Sequence, residues 1–236
     1  MLHQEAVEAR TLALIKRLSS DPTLKDFVLV GGTALALRLG HRKSIDIDLF
    51  AATRFDPAAI AGHIDVAYKG EGTTVVGGAV FTLIEGIKTD LLSHAYPWIK
   101  SPESPEGVRM VSLDDIAAMK IHAIVNSGTR LKDYVDIHHL LERNSLHQII
   151  ASYLAKYPAA NASIAKNALI YHKEIDFRKG LDLLGRDYGW KDVAKRLREA
   201  VVELKRVFQG KEAVRSQENK TEGHKLSKGL KRGQKP

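Results

Sequence analysis

An α+β fold, a mixed sheet with flanking helices followed by a helical C-terminal region, is what this sequence predicts, and three observations carry it. Short β-prone runs at 28–30, 45–49 and 87–92 lie in the first half. Apolar residues at three- and four-residue spacing dominate after Val111. Glycine turn signals at 31–32 and 85–86 separate the early elements. With 236 residues and 44% apolar content, the chain can bury a substantial core as one large domain or two closely packed ones.

The first twenty residues read as an amphipathic helix whose apolar positions are Val7, Leu12, Leu14, Ile15 and Leu18. They lack the apolar core of a secretion signal, and no membrane span is expected. Residues 28–30 form an apolar strand, Gly31-Gly32 permits a tight turn and close approach of a ligand, and residues 33–39 are helix-forming up to a stop at Gly40. A helix therefore starts at the glycines. Its free N–H groups and positive dipole end suit a phosphate.

In the next strand Ile45, Ile47 and Leu49 alternate with Ser44, Asp46 and Asp48, giving one apolar and one acidic face. Two carboxylates two residues apart on a strand project the same way at about 7 Å. A hard divalent cation removes their repulsion and keeps positions open for substrate phosphates. For a bare D-x-D, a solvated edge strand is the commoner explanation. After Glu85-Gly86, however, residues 87–92 make another strand with Asp90 in its middle. If the two strands are neighbours, three carboxylates converge, as one or two metals clamping a phosphoryl transfer require. The competing reading is a salt bridge from Asp90 to Lys88 or Arg42.

Ser112-Leu113-Asp114-Asp115 resembles a capping box, and the helix it opens places Leu113, Ile116, Ala117, Lys120 and Ile124 on one side. Lys120 interrupts that apolar stripe, so it snorkels to the surface or meets a carboxylate or phosphate. Asn126-Ser127-Gly128 ends the helix, and residues 131–143 open another, with Tyr134, His138 and Leu141 facing the core. Asp133 and Asp136, three apart, are neighbours on its surface, where an acidic first turn is also favoured by the helix dipole. His138 and His139 diverge by about 100° and cannot chelate one ion from the same face, so core packing and surface exposure are expected of them. Further helices are expected at 147–156, 160–174 and 190–208.

These residues resemble a known family. The order Gly-Gly, D-x-D, then a lone Asp on a later strand looks like the nucleotidyltransferase superfamily with the DNA polymerase β type fold. The blocks GGTALAL, HRKSIDIDLF, GIKTDLLSHAYP, AAMKIHAI and RLKDYVDIHHLL, in that order between residues 27 and 141, are similar to the AbiEii/AbiGii toxin family of bacterial toxin–antitoxin and phage-defence systems. The resemblance implies transfer of a nucleoside monophosphate from an NTP, with Mg²⁺ or Mn²⁺, to an acceptor hydroxyl on RNA, such as a tRNA 3′ end, or on a protein. A cognate antitoxin is the further partner implied. Asp46 and Asp48 would hold the metals, Asp90 the second metal and the acceptor proton, and Gly31, Gly32, Thr33 and Lys120 the triphosphate. Arg130, Lys132, Asp133 and Asp136 match a block completing the site, with Asp136 counted among its catalytic groups. At Gly32 the chain departs from the many members with serine, which leaves Thr33 or Ser44 to supply a hydroxyl. A small-molecule nucleotidyltransferase of the aminoglycoside-modifying kind, and a catalytically inactive nucleotide-binding module, are the competing functions.

By this reading residues 1–111 form the nucleotidyltransferase core, 112–208 a helical region completing the site, and 209–236 a disordered basic tail. The tail holds eight Lys or Arg against three Glu from residue 211 on, most of the net charge of +8. It would strengthen RNA binding or act only as a solubilising appendage. The absence of cysteine excludes disulfides and thiolate zinc sites and suits a reducing, cytoplasmic setting.

Overall fold

The computed structural model describes residues 1–178, 180–185 and 189–209. The basic tail expected beyond Gln209 lies outside them. Helix α1 (Ala9–Ser20) leads into β1 (Phe27–Leu29), α2 (Gly31–Leu39) and β2 (Ile47–Ala51). Next come α3 (Pro57–Tyr68), β3 (Glu71–Val76), β4 (Ala79–Ile84) and β5 (Ile87–Ser93), then five helices. These are α4 (Leu113–Asn126), α5 (Leu131–Leu140), α6 (Leu146–Lys156), α7 (Ala162–Ile170) and α8 (Trp190–Val202). The helices expected at 160–174 and 190–208 are thus shorter, and Val7 precedes α1 rather than belonging to it.

The five strands form one sheet in the order β1-β2-β5-β4-β3, and only β2 and β5 run parallel. A parallel pair cannot be joined by a tight turn. Here α3, β3 and β4 make the long connection, and Glu85 and Gly86, at φ 53° and 74°, close the β4–β5 hairpin as a turn needing two positive φ values. Along β2 the pleat buries Ile47, Leu49 and Ala51 and turns Asp48 and Phe50 to the half-open face. The register pairs Asp48 with Asp90 across β2–β5, and Asp90 with Phe81 across β5–β4.

The buried face packs Leu29, Ile47 and Leu91 against Leu14, Ile15, Leu18 and Ile64. Each such side chain contributes about 1.5–3 kcal/mol when fully buried. The same cluster continues through Ile116, Ile121, Tyr134 and Leu140 of the helical region. Residues 109–111 bind the two parts together, since Leu29 donates to the Arg109 carbonyl and Val111 donates to that of Leu29. Among the described residues no helix is long and apolar enough to cross a membrane.

Candidate active site

Three elements, the N-terminus of α2 and strands β2 and β5, meet at the acidic face of the sheet, and the first is the helix. Gly31 has φ 70°, and a β-carbon added there would lie 2.6 Å from Asp48 Oδ2. Only glycine lets the helix start against that carboxylate. At Gly32 an added β-carbon would lie 2.5 Å from Arg42 Nη2, so any side chain there would have to displace the guanidinium. The Thr33 hydroxyl is buried, donates to the Asp46 carbonyl and hydrogen-bonds the Ser44 hydroxyl at 2.8 Å, fastening α2 to the segment before β2. It has no exposure to a phosphate, whereas Ser44 borders the cleft described below.

Asp48 and Asp90 stand side by side on neighbouring strands, as the sheet register dictates. Burial first, then the charge of Asp90, raises the Asp48 carboxyl above its usual range, with Lys120, Lys88 and Lys132 opposing. Lys88 reaches back along β5 to Asp90 Oδ2, the salt bridge that competed with the metal reading. Asp90 Oδ1 nevertheless remains buried without a hydrogen-bond partner. Asp46 precedes β2 rather than lying in it, and Ile45, expected on the apolar face, is 66% exposed. Among the described residues no three acids or histidines are gathered closely enough to hold one ion, so the expected convergence of three carboxylates reduces to the Asp48–Asp90 pair. One or two carboxylates together with substrate phosphates are the usual donor set for Mg²⁺. The orphaned Asp90 oxygen and the raised Asp48 carboxyl both mark a shortage of positive charge that a divalent cation fits.

Behind the acids lies a closed ionic network. Lys120, far from snorkelling, is 5% exposed and bonds Asp133 Oδ1 and Asp136 Oδ2, each at 2.7 Å. Asp136, fully buried, also accepts from Arg42 Nε at 2.7 Å and Nη2 at 3.0 Å, while His41 Nε2 lies 2.8 Å from Oδ1. Burial alone would push its carboxyl up; Arg42 and Lys120 instead hold it well below the usual carboxylate range. Burial would lower the Lys120 ammonium, and Asp136 and Asp133 more than reverse that. Arg130 donates to Asp133 Oδ2 from the surface. Lys120 and Asp136 are therefore occupied with each other, and a phosphate would reach neither without displacing a partner. His41 and Arg42 escaped the sequence reading as partners of Asp136, 94 or 95 positions away. The one available signal was their place beside the D-x-D block.

A cleft of about 740 Å³ opens at the N-terminal end of β2, lined by Arg42, Lys43, Ser44, Asp46, Arg130 and Lys132 among others. Lys132 is half-buried there and, among the described residues, has no hydrogen-bonding or ion-pairing partner. Burial, then the charges of Lys120, Arg130 and Arg42, lower its ammonium below the usual lysine range, which Asp133 only partly offsets. A cation in that position is short of an anion. His138 and His139 are both 4% exposed, so surface exposure of one of them is not observed.

Residues 13–209 match a family model described as nucleotidyl transferase AbiEii toxin, type IV toxin–antitoxin system. An uncharacterized protein of Aquifex aeolicus (strain VF5) is 32% identical over 155 residues, which covers 63% of this chain and 75% of that protein. Among solved structures, a candidate nucleotidyltransferase from H. pylori aligns with a TM-score of 0.48 at 16% identity, covering 84% of this chain and 97% of its own. The Thermotoga maritima CCA-adding enzyme complexed with tRNA aligns with a TM-score of 0.35 at 15% identity, covering 72% of this chain and 54% of its own.

Proposed function

Since the chain belongs to the AbiEii family of nucleotidyl transferase toxins of type IV toxin–antitoxin systems, we propose that it moves a nucleoside monophosphate from an NTP to an acceptor hydroxyl at the Asp48–Asp90 edge. The observation that carries this reading is a pair of opposite charge deficits a short way apart. Asp48 is raised by burial and by Asp90, and Asp90 keeps one oxygen unpartnered although Lys88 holds the other, whereas Lys132 lacks an anion among the described residues. A metal-bound triphosphate supplies both.

In this mechanism Asp48 and Asp90 would hold Mg²⁺ or Mn²⁺, with Asp46 lining the adjoining cleft, and a bound ion would offset charge on the reacting phosphate oxygens. The N-terminus of α2 at Gly31 and Gly32 offers backbone N–H groups to the triphosphate, Ser44 a hydroxyl and Lys132 its ammonium. Asp90, beside Asp48 in the sheet register, would also accept the proton of the attacking hydroxyl. Lys120, Asp133, Asp136 and Arg42 act one layer back, fixing α4 and α5 against the segment that carries Ser44 and Asp46. The system named by the family also implies a cognate antitoxin as partner. Incubation with each labelled NTP, Mg²⁺ and a cell extract should transfer label to a macromolecule, and chelation of the metal should stop it. Absence of transfer with all four nucleotides would overturn the reading.

A further inference from the structure

A second cavity, of about 410 Å³, lies at the opposite end of α2 from Gly31 and Gly32. His3, Gly40, His139 and Leu184 bring four separate segments of the chain to its walls. The segments are tied together. Gly40 ends α2 at φ 62°, and a β-carbon added there would lie 2.5 Å from His3 Nδ1, so glycine lets the N-terminal segment pack directly on the helix end. His3 donates its backbone N–H to the Leu37 carbonyl at 2.8 Å, and Leu184 donates to that of His41 at 3.1 Å.

His41 lines this cavity at only 4% exposure. Its Nε2 lies 2.8 Å from Asp136 Oδ1, and Asp136, held ionised by Arg42 and Lys120, can only accept, so this nitrogen carries the ring proton. Burial outweighs Asp136 and lowers the imidazole below its usual range, which leaves the ring neutral at neutral pH. Nδ1 is therefore a bare acceptor on the side of the ring turned away from Asp136. Asp136 is not part of the cavity wall, and among the described residues Nδ1 has no hydrogen-bond partner. A buried acceptor without a donor costs free energy, which an occupant bearing an N–H recovers.

The charge around that nitrogen selects the occupant. A lone pair repels an anion and any group that can only accept. Glu5 also lines the cavity, engaging His3 through Oε1 at 2.9 Å and keeping its second oxygen for a donor. Glu142, which accepts from Arg196 at 2.8 Å, adds another carboxylate, and Arg143 is the cation on the same wall. The C-terminal end of α2 contributes further partial negative charge. We propose that this cavity is a second ligand site, taking a small organic cation of the alkylguanidinium or alkylammonium class, with one N–H donated to His41 Nδ1 and the positive charge facing Glu5. The site is separate from the nucleotide cleft, yet His41 and Arg42 are consecutive and grip the same Asp136, and Arg42 lines that cleft. The inference does not depend on the nucleotidyltransferase chemistry.

The test titrates n-butylguanidinium into the full chain, with n-butylurea as its neutral isostere, and reads affinity by calorimetry. Butylguanidinium should bind at least about tenfold tighter than butylurea. Leu184→Trp, which fills the cavity from a side chain outside the ionic network, should weaken binding about tenfold or more, whereas Asp48→Asn should leave it at the parent value. In unaltered protein labelled with ¹⁵N-histidine, the unprotonated nitrogen of His41 should shift upfield as it accepts the new hydrogen bond. This readout depends on no variant folding. No binding of butylguanidinium, or equal affinity for the two compounds, overturns the proposal. So does an unmoved His41 nitrogen at saturation, or parental binding in a folded Leu184→Trp protein. Loss of binding in Asp48→Asn overturns it too, by placing the cation at the acidic face.

Discussion

Two charged pairs in this molecule, the fully buried Asp115–Lys156 and the partly buried Asp48–Asp90, are built on opposite terms. Asp115 accepts from Lys156, the Ser112 hydroxyl and the backbone of Ile99 and Lys100. Asp48 and Asp90 are like charges on adjacent strands, one with its carboxyl driven up and the other with an oxygen left unpaired. Desolvation is the same liability in both places. Where the chain supplies every partner, the charge fixes structure; where it leaves a deficit, the charge marks a ligand. The network of Lys120, Asp133, Asp136 and Arg42 belongs to the first kind, although it borders the second.

The largest expected effect breaks the open pair. Asp48→Asn should reduce nucleotide transfer by about a hundred- to a thousandfold, the scale of removing a group that stabilises transition-state charge. Its thermal stability without metal should not fall. A carboxyl raised in the folded state costs stability as pH rises from its ordinary value through the raised one, so neutralising it at pH 7 removes that cost. A folded variant with parental activity would remove Asp48 from the mechanism.

Asp136→Asn addresses the closed kind. It leaves Arg42 and Lys120 buried with less than their full counter-charge, and should lower unfolding free energy by about 3–5 kcal/mol in a denaturant titration. Unchanged stability accompanied by lost activity would move Asp136 from a positioning role into contact with substrate.

Lys132→Met sharpens the contrast, because the removed cation has no partner among the described residues. NTP affinity should weaken by about 1.5–3 kcal/mol, as for a charged hydrogen bond, with stability unchanged or slightly higher. Isothermal titration with NTP and Mg²⁺ checks the first part and thermal melting the second. A marked loss of stability would mean that Lys132 serves the fold.

The smallest effect concerns His94. Its folded value of about 4 lies below its ordinary one of 6.5, so between these pH values the unfolded chain binds the extra proton and stability declines as pH falls. His94→Phe should flatten that part of the stability–pH curve. A superimposable curve would show that His94 is solvated as in a peptide.

The Gly31-Gly32 turn, the alternation around Asp48, the Glu85-Gly86 turn and the Ser112 cap were legible because each is a local matter of backbone conformation or side-chain period. Strands β3 and β4 and helix α3 went unread: β3 is largely exposed and gives no sharp inside-outside alternation, and α3 has little apolar asymmetry. The start of β2 was misjudged at Ile45 because a period of two continues through a segment that the sheet does not extend to.

By itself, then, the sequence determined which residues carry charge at the acidic edge and which backbone positions permit a helix to begin beside them. The partners of those charges were decided only in three dimensions. Lys120 meets Asp136 and not an exposed phosphate, His41 and Arg42 arrive from across the fold, and Lys88 stands beside Asp90. Local periodicity fixes the face on which a side chain lies. Whether a buried charge is satisfied depends on what packs against that face from distant parts of the chain, and that balance sets both the pKa and the chemistry.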